Sequence, residues 1–230
     1  YAVNLIYCQS KKLNLTDKFN LFAHQSLIFT PALVGFSVQK DEFWFKELSG
    51  ISLSADVVIN TKIESHKFNG DVLFTHRGIS GPAILNASLF WQKGRICINF
   101  LPKFSEKNLV NGKKQLSSVL PLPKRFVLEF LRNFGLKDRA YYEFSDDEKN
   151  IIKRLFAYHF APAGTFGFER AEVTKGGVKT IFLDENLESK SVKGRYFIGE
   201  VLDITGMLGG YNLHFAFASA LKVASALKNS

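Results

Sequence analysis

The stretch from Gly194 to Leu227, GRYFIGEVLDITGMLGGYNLHFAFASALKVASAL, restricts the fold more than any other part of the chain. It opens on an apolar run of strand length, Tyr196-Phe197-Ile198. Gly199 and Glu200 stand where that strand ends, and a loop with Gly206, Gly209 and Gly210 follows. Leu213, Ala216, Phe217, Ala220, Leu221, Ala224 and Leu227 then recur at spacings of three and four, which predicts one apolar face of a helix. A strand, a Gly-rich turn and a helix in succession aim backbone N–H groups at whatever lies above the helix N-terminus, and the helix dipole adds partial positive charge there. An electron-rich oxygen or a phosphate suits that position. Glu200, an acid at the strand end beside a Gly turn, suits sugar hydroxyls. Asn212, in the first helical turn, adds a neutral donor and acceptor. The plainer reading is a strand–helix unit whose glycines serve only tight turns. Pattern alone leaves both open.

Gly199-Glu200-Val201-Leu202-Asp203, Gly206 and Gly209-Gly210-Tyr211-Asn212-Leu213 together resemble the C-terminal flavin-binding segment of the HI0933-like (YhiN-type) FAD-dependent oxidoreductases. Further stretches are similar to the same family: Pro31-Ala32-Leu33-Val34, Phe74-Thr75-His76-Arg77-Gly78-Ile79-Ser80-Gly81-Pro82-Ala83, Val173-Thr174-Lys175-Gly176-Gly177-Val178, and Leu187-Glu188-Ser189-Lys190 with Leu in place of Met. The resemblance implies that Glu200 holds ribityl or nearby sugar hydroxyls. It implies that Gly209, Gly210, Tyr211 and Asn212 face the flavin ring, with Gly199, Gly206 and Leu213 in the same cofactor segment. It also marks Thr174, Gly176 and Gly177 as flavin contacts in a tight turn; an ordinary hairpin turn is the alternative there. A complete member would pass hydride between NAD(P)H and a substrate through FAD. The substrate is a small molecule that the residues do not identify.

Members of this family begin with a dinucleotide-binding half of about 150–200 residues. No G-x-G-x-x-G occurs in this chain, which starts at Tyr1. The expectation is that the ADP-binding half is missing from this polypeptide, whether truncated, separately encoded or lost. Three functions follow. The chain is a portion of an FAD-dependent oxidoreductase; or a non-catalytic remnant or subunit that needs a separate dinucleotide-binding polypeptide; or a basic nucleic-acid-binding module. Whether it is itself an enzyme stays open. The apolar helix from Leu213 to Leu227 expects cover on more than one side, so self-association as a homodimer or capture of the absent half is expected.

The expected fold class is α+β: a β-barrel-like domain with an all-α insertion, plus the C-terminal strand–Gly-rich loop–helix piece of a Rossmann-like FAD domain. The divisions are residues 1–30 as an N-terminal remnant or linker, 31–101 as the first part of the barrel, 102–165 as the helical insertion, 166–190 as the last part of the barrel, and 191–230 as the FAD-domain segment. Val3 to Tyr7 reads as a strand, and Leu13, Leu15 and Phe19 line a short helix capped by Thr16. Strands are expected at 32–38, 43–45, 51–55, 57–61, 71–74 and 95–100, with Asn69-Gly70 as a hairpin turn. Pro82 is expected at the start of a helix running to Phe90. Within the insertion, one helix ends at Pro121 and a second starts at Pro123 and stops at Gly135. A third starts on the capping box Ser145-Asp146-Asp147-Glu148 and runs to about Phe160. Glu169 to Val173 reads as a strand before the Thr174–Gly177 turn, and Val178 to Glu188 completes the barrel.

His76 is the one catalytic candidate, as a side chain able to relay a proton near neutral pH; the plainer alternative is that it orders the turn before the helix. The net charge of +9 is concentrated at residues 103–139, where nine basic side chains face three acidic ones. No base-reading or stacking motif accompanies it, so the segment reads as a solvated surface and nucleic acid is not an expected partner. Cys8 and Cys97 have no partner spacing and read as free thiols in a reducing cytoplasm, with no metal site. No apolar run reaches the roughly 18–20 residues needed to span a bilayer, so no membrane is expected.

Overall fold

The computed structural model describes residues 4–6, 26–109 and 113–228. The chain forms two compact units, residues 1–33 with 167–230, and residues 34–166. The first begins with strands β1 (Asn4–Ile6) and β2 (Ser26–Ala32). The helix expected at Leu13–Phe19 with Thr16 as its cap, and Cys8, lie outside the described residues.

The second unit contains strands β3 (Phe36–Ser37), β4 (Ser52–Asn60), β5 (Ser65–Thr75), β6 (Gly78–Ser80), β7 (Ile96–Asn99), β8 (Tyr158–Phe160) and β9 (Gly164–Thr165). Its helices are α1 (Trp44–Glu47), α2 (Pro82–Ser88), α3 (Leu116–Val119), α4 (Lys124–Asn133) and α5 (Asp146–Lys153). The strands form one antiparallel sheet in the order β8-β7-β4-β5-β6-β3-β9, open at both edges. The mixed helix-and-strand class expected from the sequence holds.

Where the sequence signal is local, the structure agrees. Pro82 opens α2, and β7 alternates buried and half-buried residues. Pro123 precedes α4, whose buried side is Phe126, Val127, Phe130 and Leu131, and Gly135 ends it at φ +68°. At α5 the Glu148 N–H donates to Ser145 Oγ at 3.3 Å, and the Glu148 carboxylate accepts the Ser145 N–H at 2.8 Å.

Several expectations are corrected by long-range contacts. The stretch 32–38 is not one strand: β2 ends at Ala32, Leu33 takes φ +48°, and the Val34 N–H turns to the Ser88 hydroxyl at 3.1 Å. Phe43–Phe45 is not a strand, because α1 places the Trp44 indole N–H on Tyr158 OH at 3.2 Å and the Phe45 ring 5.1 Å from that of Phe74. Asn69-Gly70 lies inside β5, opposite Asp56 and Ala55, and makes no turn. Asn69 Nδ2 donates to Asp56 Oδ1 at 2.8 Å, which holds this stretch in the β4–β5 pair. The turn falls at Thr61–Glu64, where the Thr61 hydroxyl accepts the Ile63 and Glu64 N–H groups. The single helix expected before Pro121 is a 3₁₀ turn at Glu106–Leu109 and the short α3, with the Leu116 N–H diverted to Arg139 O at 3.0 Å. The third helix stops at Lys153, and Tyr158–Phe160 joins the sheet beside β7 with both aromatics buried.

The helices and sheet share one core. Phe126 sits 5.0 Å from Phe100, 5.6 Å from Phe74 and 5.8 Å from Trp44 between ring centroids.

Back in the first unit, β10 (Val173–Val178) pairs antiparallel with β2, β11 (Arg195–Phe197) pairs parallel with β1, and α6 (Tyr211–Lys228) follows β11. Phe168–Arg170 is a 3₁₀ turn where a strand was expected. Thr174–Gly177 is not a turn but the body of β10, with a register break between Lys175 and Gly177 that leaves Gly176 as the extra residue. Thr180–Phe182, expected in the barrel, is a 3₁₀ turn, and among the described residues β10 pairs with β2 rather than with the seven-stranded sheet. No helix among the described residues is long and apolar enough to cross a membrane.

Candidate functional site

The strand–turn–helix arrangement read from the sequence is present. After β11, Ile198 leads into Gly199, whose φ of +68° begins a single 3₁₀ turn, Gly199–Val201. The Gly199 N–H donates to the hydroxyl of Ser219 on α6 at 2.9 Å, and that hydroxyl donates to Ala216 O at 3.0 Å. The turn is thereby tied to the helix. On its other side it is tied to β10. A Cβ on Gly177, at φ +115°, would meet Val201 O at 2.2 Å, so only glycine permits this approach. The Asp203 N–H donates to Val178 O at 2.9 Å.

Glu200 therefore projects from a turn clamped between a strand and a helix. Its Oε1 accepts the Thr174 N–H. Burial raises the Glu200 carboxyl above the ordinary carboxylate range, and the hydrogen bonding from Thr174 opposes this without cancelling it. The structure brings Thr174 onto Glu200 and Gly177 against Val201 of the same turn.

The loop from Asp203 to Gly210 closes on the helix through Asn212. Its Oδ1 accepts the Gly206 N–H at 2.7 Å and its Nδ2 donates to Gly206 O at 2.9 Å. Asn212, expected as a ligand group, thus holds Gly206 on both backbone atoms. Gly206 is itself confined, because a Cβ there would stand 2.8 Å from Tyr211 Cβ. Gly209 and Gly210 take φ of +130° and +87°. The His214 N–H bonds to Gly210 O at 2.9 Å, so the amides of Tyr211, Asn212 and Leu213 lie ahead of the first intrahelical bond.

Two contributors escaped the sequence reading, and a third was read only as part of a family-like stretch. Ser219, a buried polar residue on an apolar helix, was visible only as a lone serine. Thr205 gave no signal, yet its Oγ1 is buried with no hydrogen-bond partner among the described residues. Glu188, in the Leu-Glu-Ser-Lys stretch, accepts the Gly194 N–H at 2.6 Å and the Tyr196 hydroxyl at 3.1 Å, which fixes the entry to β11.

The face of α6 differs from expectation. Ser219 and Val223 are buried, with Phe215 and Ala220 packed beside the small clusters beneath. Leu213, Phe217 and Leu221, spaced at four residues, are 57%, 65% and 68% exposed. A helix that is apolar on most sides cannot declare from its own pattern which side is covered. His76 belongs to the other unit, exposed in the β5–β6 turn. That turn is ordered by Thr75, whose hydroxyl accepts the Arg77 and Gly78 N–H groups at 3.3 and 3.2 Å.

With this geometry in place, two family profiles bear on it. One, described as the HI0933-like protein barrel and H2TH domain, matches residues 30–173. The other, the HI0933-like protein Rossmann domain, matches residues 156–226, which contain Glu200 and the start of α6. The chain belongs to the HI0933-like family. Its similar relatives include the ribosomal RNA dihydrouridine synthase of Haemophilus influenzae, 38% identical over 84% of this chain and 50% of the relative. The ribosomal RNA dihydrouridine synthase of Escherichia coli is 41% identical over 70% of this chain and 43% of the relative. The 3-dehydro-bile acid delta(4,6)-reductase of Clostridium scindens is 27% identical over 82% of this chain and 51% of the relative. This HI0933-like chain spans about half the length of the curated relatives it matches.

Proposed function

We propose that this chain is the barrel and C-terminal Rossmann portion of a flavin-dependent oxidoreductase that reduces a uridine of ribosomal RNA. The observation that carries the reading is the Gly199–Asn212 segment itself, which carries in succession the half-buried Glu200 carboxylate, the Thr205 hydroxyl, unpartnered among the described residues, and the leading amides of α6. These residues fit FAD. Glu200 offers a carboxylate to sugar hydroxyls, the Thr205 hydroxyl offers a buried donor and acceptor, and Gly177 lets β10 approach Val201 of the Glu200 turn. The leading amides of α6 favour negative charge above them. Among the described residues, no group of three or more His, Cys, Asp or Glu is placed to hold a metal ion. When bound, the flavin supplies hydride transfer, with NAD(P)H as the reductant.

The substrate class follows from the names of the relatives. Dihydrouridine is uridine with its C5–C6 bond saturated, a double bond conjugated to the C4 carbonyl. A delta(4,6)-reductase of a 3-keto compound likewise saturates a carbon–carbon bond conjugated to a carbonyl. Both reactions add a hydride and a proton across a carbon–carbon double bond whose electrons are drawn toward a conjugated carbonyl. Ribosomal RNA is favoured because the two relatives above 30% identity carry that name. The proposal departs here from reading the basic insertion as a solvated surface only.

The exposed stripe of Leu213, Phe217 and Leu221 is the face for a dinucleotide-binding half or a second copy. The test is absorbance after equilibration with FAD and gel filtration, for the chain alone and mixed with the dinucleotide-binding half of a relative. Retained flavin bands in the mixture, weakened about tenfold or more in affinity by Glu200→Ala, are expected. Nucleoside analysis of ribosomal RNA from cells lacking the gene should show lost dihydrouridine. Unchanged dihydrouridine would reject the substrate, and absence of flavin in both preparations would reject the cofactor.

A further inference from the structure

The 34–166 unit holds a cavity of about 560 Å³ that the flavin segment does not use. Asp41 and Glu42 line it from the turn before α1, Arg95 from the approach to β7, Phe134 from the end of α4, Arg154 from the α5–β8 connection and Tyr158 from β8. Its size lies in the range of ligand sites. The Arg154 guanidinium stands 4.7 Å from the Phe134 ring centroid and 5.2 Å from that of Tyr158, so two aromatic rings hold it. Tyr158 is itself anchored by the Trp44 indole. No ion pair within 4.0 Å joins Arg95 or Arg154 to Asp41 or Glu42 among the described residues.

We propose that this cavity receives one unpaired nucleotide of an RNA strand, with its phosphate against Arg95 and Arg154 and the N–H edge of its base against Asp41 and Glu42. The inference rests on ribosomal RNA being the substrate, and it concerns binding rather than the chemistry. A guanidinium braced on rings offers both fork-like donors for phosphate and a flat face for a base. Two carboxylates would repel a plain anion, but they accept hydrogen bonds from ring N–H and amino groups. The carboxylates and guanidinium groups sense one another across the space. Burial, then the Asp41 charge, raises the Glu42 carboxyl, and the charges of Arg154 and Arg95 draw it back. A single nucleotide would not need more cations than these two. The insertion that contributes Phe134 nevertheless carries nine basic against three acidic residues at 103–139, a footprint suited to the phosphates of a continuing strand.

Fluorescence anisotropy of the full 230-residue chain, with a labelled single-stranded RNA oligonucleotide and with the same sequence as a duplex, tests this. The wild type should bind the single strand more tightly. Arg154→Ala should weaken that binding roughly tenfold or more. Arg154→Lys should recover only part, because an ammonium keeps the charge and loses the planar stack. Arg95→Ala should lower the slope of log affinity against log salt by about one. Both arginines are exposed, so thermal melts of the variants should match the wild type. Wild-type binding that neither arginine variant changes, or equal affinity for duplex and single strand, overturns the cavity and leaves the ribosomal RNA reading standing. A wild-type chain that binds no RNA overturns both.

Discussion

The 34–166 unit and the unit that carries the candidate site are held together in different ways. In the first, Trp44, Phe45, Phe74, Phe100, Phe126, Phe130, Tyr158 and Phe160 form one continuous core under the sheet and helices. In the second, the described residues show a cluster around Val178, Phe197 and Leu202 and a smaller one around Tyr196, Ile198 and Val223. Single polar side chains complete the work there: Asn212 on Gly206, Ser219 on Gly199 and Glu188 on Gly194. Packing stabilises by area and tolerates local change, whereas a clamp made of one side chain fails when that side chain does. Among the described residues, the turn that carries the candidate site is thus ordered by single clamps as well as by core.

Phe126→Ala should break this contrast most severely. The ring is fully buried against three other aromatics, and its removal should cost about 3–5 kcal/mol in urea unfolding followed by tryptophan fluorescence. A loss below about 1 kcal/mol would mean that the aromatic cluster is loosely packed. Gly177→Ala comes next, at about 1–3 kcal/mol, because its φ of +115° and the Val201 carbonyl both exclude a Cβ. Its damage should be local. Hydrogen exchange should quicken at the amides of Thr174, Gly199 and Asp203 and stay unchanged in β4 and β5.

The same contrast explains what was legible in the sequence. Pro82, Gly135 and the Ser145–Glu148 box were readable because each acts within one turn of its own position. The Gly-Glu turn before α6 was readable because strand, glycine and helix follow one another directly. Asn69-Gly70 and Gly176-Gly177 misled because both answer to partners distant in sequence: Asn69 bonds Asp56 across the β4–β5 pair, and Gly177 makes room for the Val201 carbonyl. A dipeptide with the composition of a turn is indistinguishable from one making room for a passing backbone. Thr205 and the Arg154 platform left no trace, since neither has a spacing that a pattern could detect.

A smaller effect separates the units by pH. Burial alone would raise the Asp56 carboxyl; hydrogen bonds from Lys67 and Asn69 and the Lys67 charge outweigh it and hold the group below the ordinary carboxylate range. A depressed carboxyl contributes stability that is fully present above its unfolded pKa of about 3.9 and lost as pH falls through the lower folded value. The β4–β5 hairpin should therefore weaken in acid. Asp56→Asn should cost about 1 kcal/mol at neutral pH, since Lys67 is exposed and regains water, and should flatten the acid limb of the stability curve. An unaltered acid limb would place the acid sensitivity elsewhere.

Glu200 should behave in the opposite sense, and Glu200→Gln should have the smallest effect on folding of all. Its carboxyl is raised by burial, so the folded state holds the proton more tightly than the unfolded chain. Stability from this group is therefore fully present below the ordinary glutamate pKa of about 4.3 and declines as pH rises through the higher folded value. Gln keeps an oxygen to accept the Thr174 N–H and never ionises, so the decline should vanish and stability at pH 7 should shift by about 1 kcal/mol or less. Flavin affinity should fall while stability holds or improves, because a neutral amide cannot hold sugar hydroxyls as a carboxylate does. That split is what distinguishes a ligand-binding carboxylate from a structural one. If Glu200→Gln instead destabilised the C-terminal unit as strongly as Gly177→Ala, Glu200 would be one more clamp beside Asn212 and Ser219, kept for the turn it holds rather than for what that turn presents.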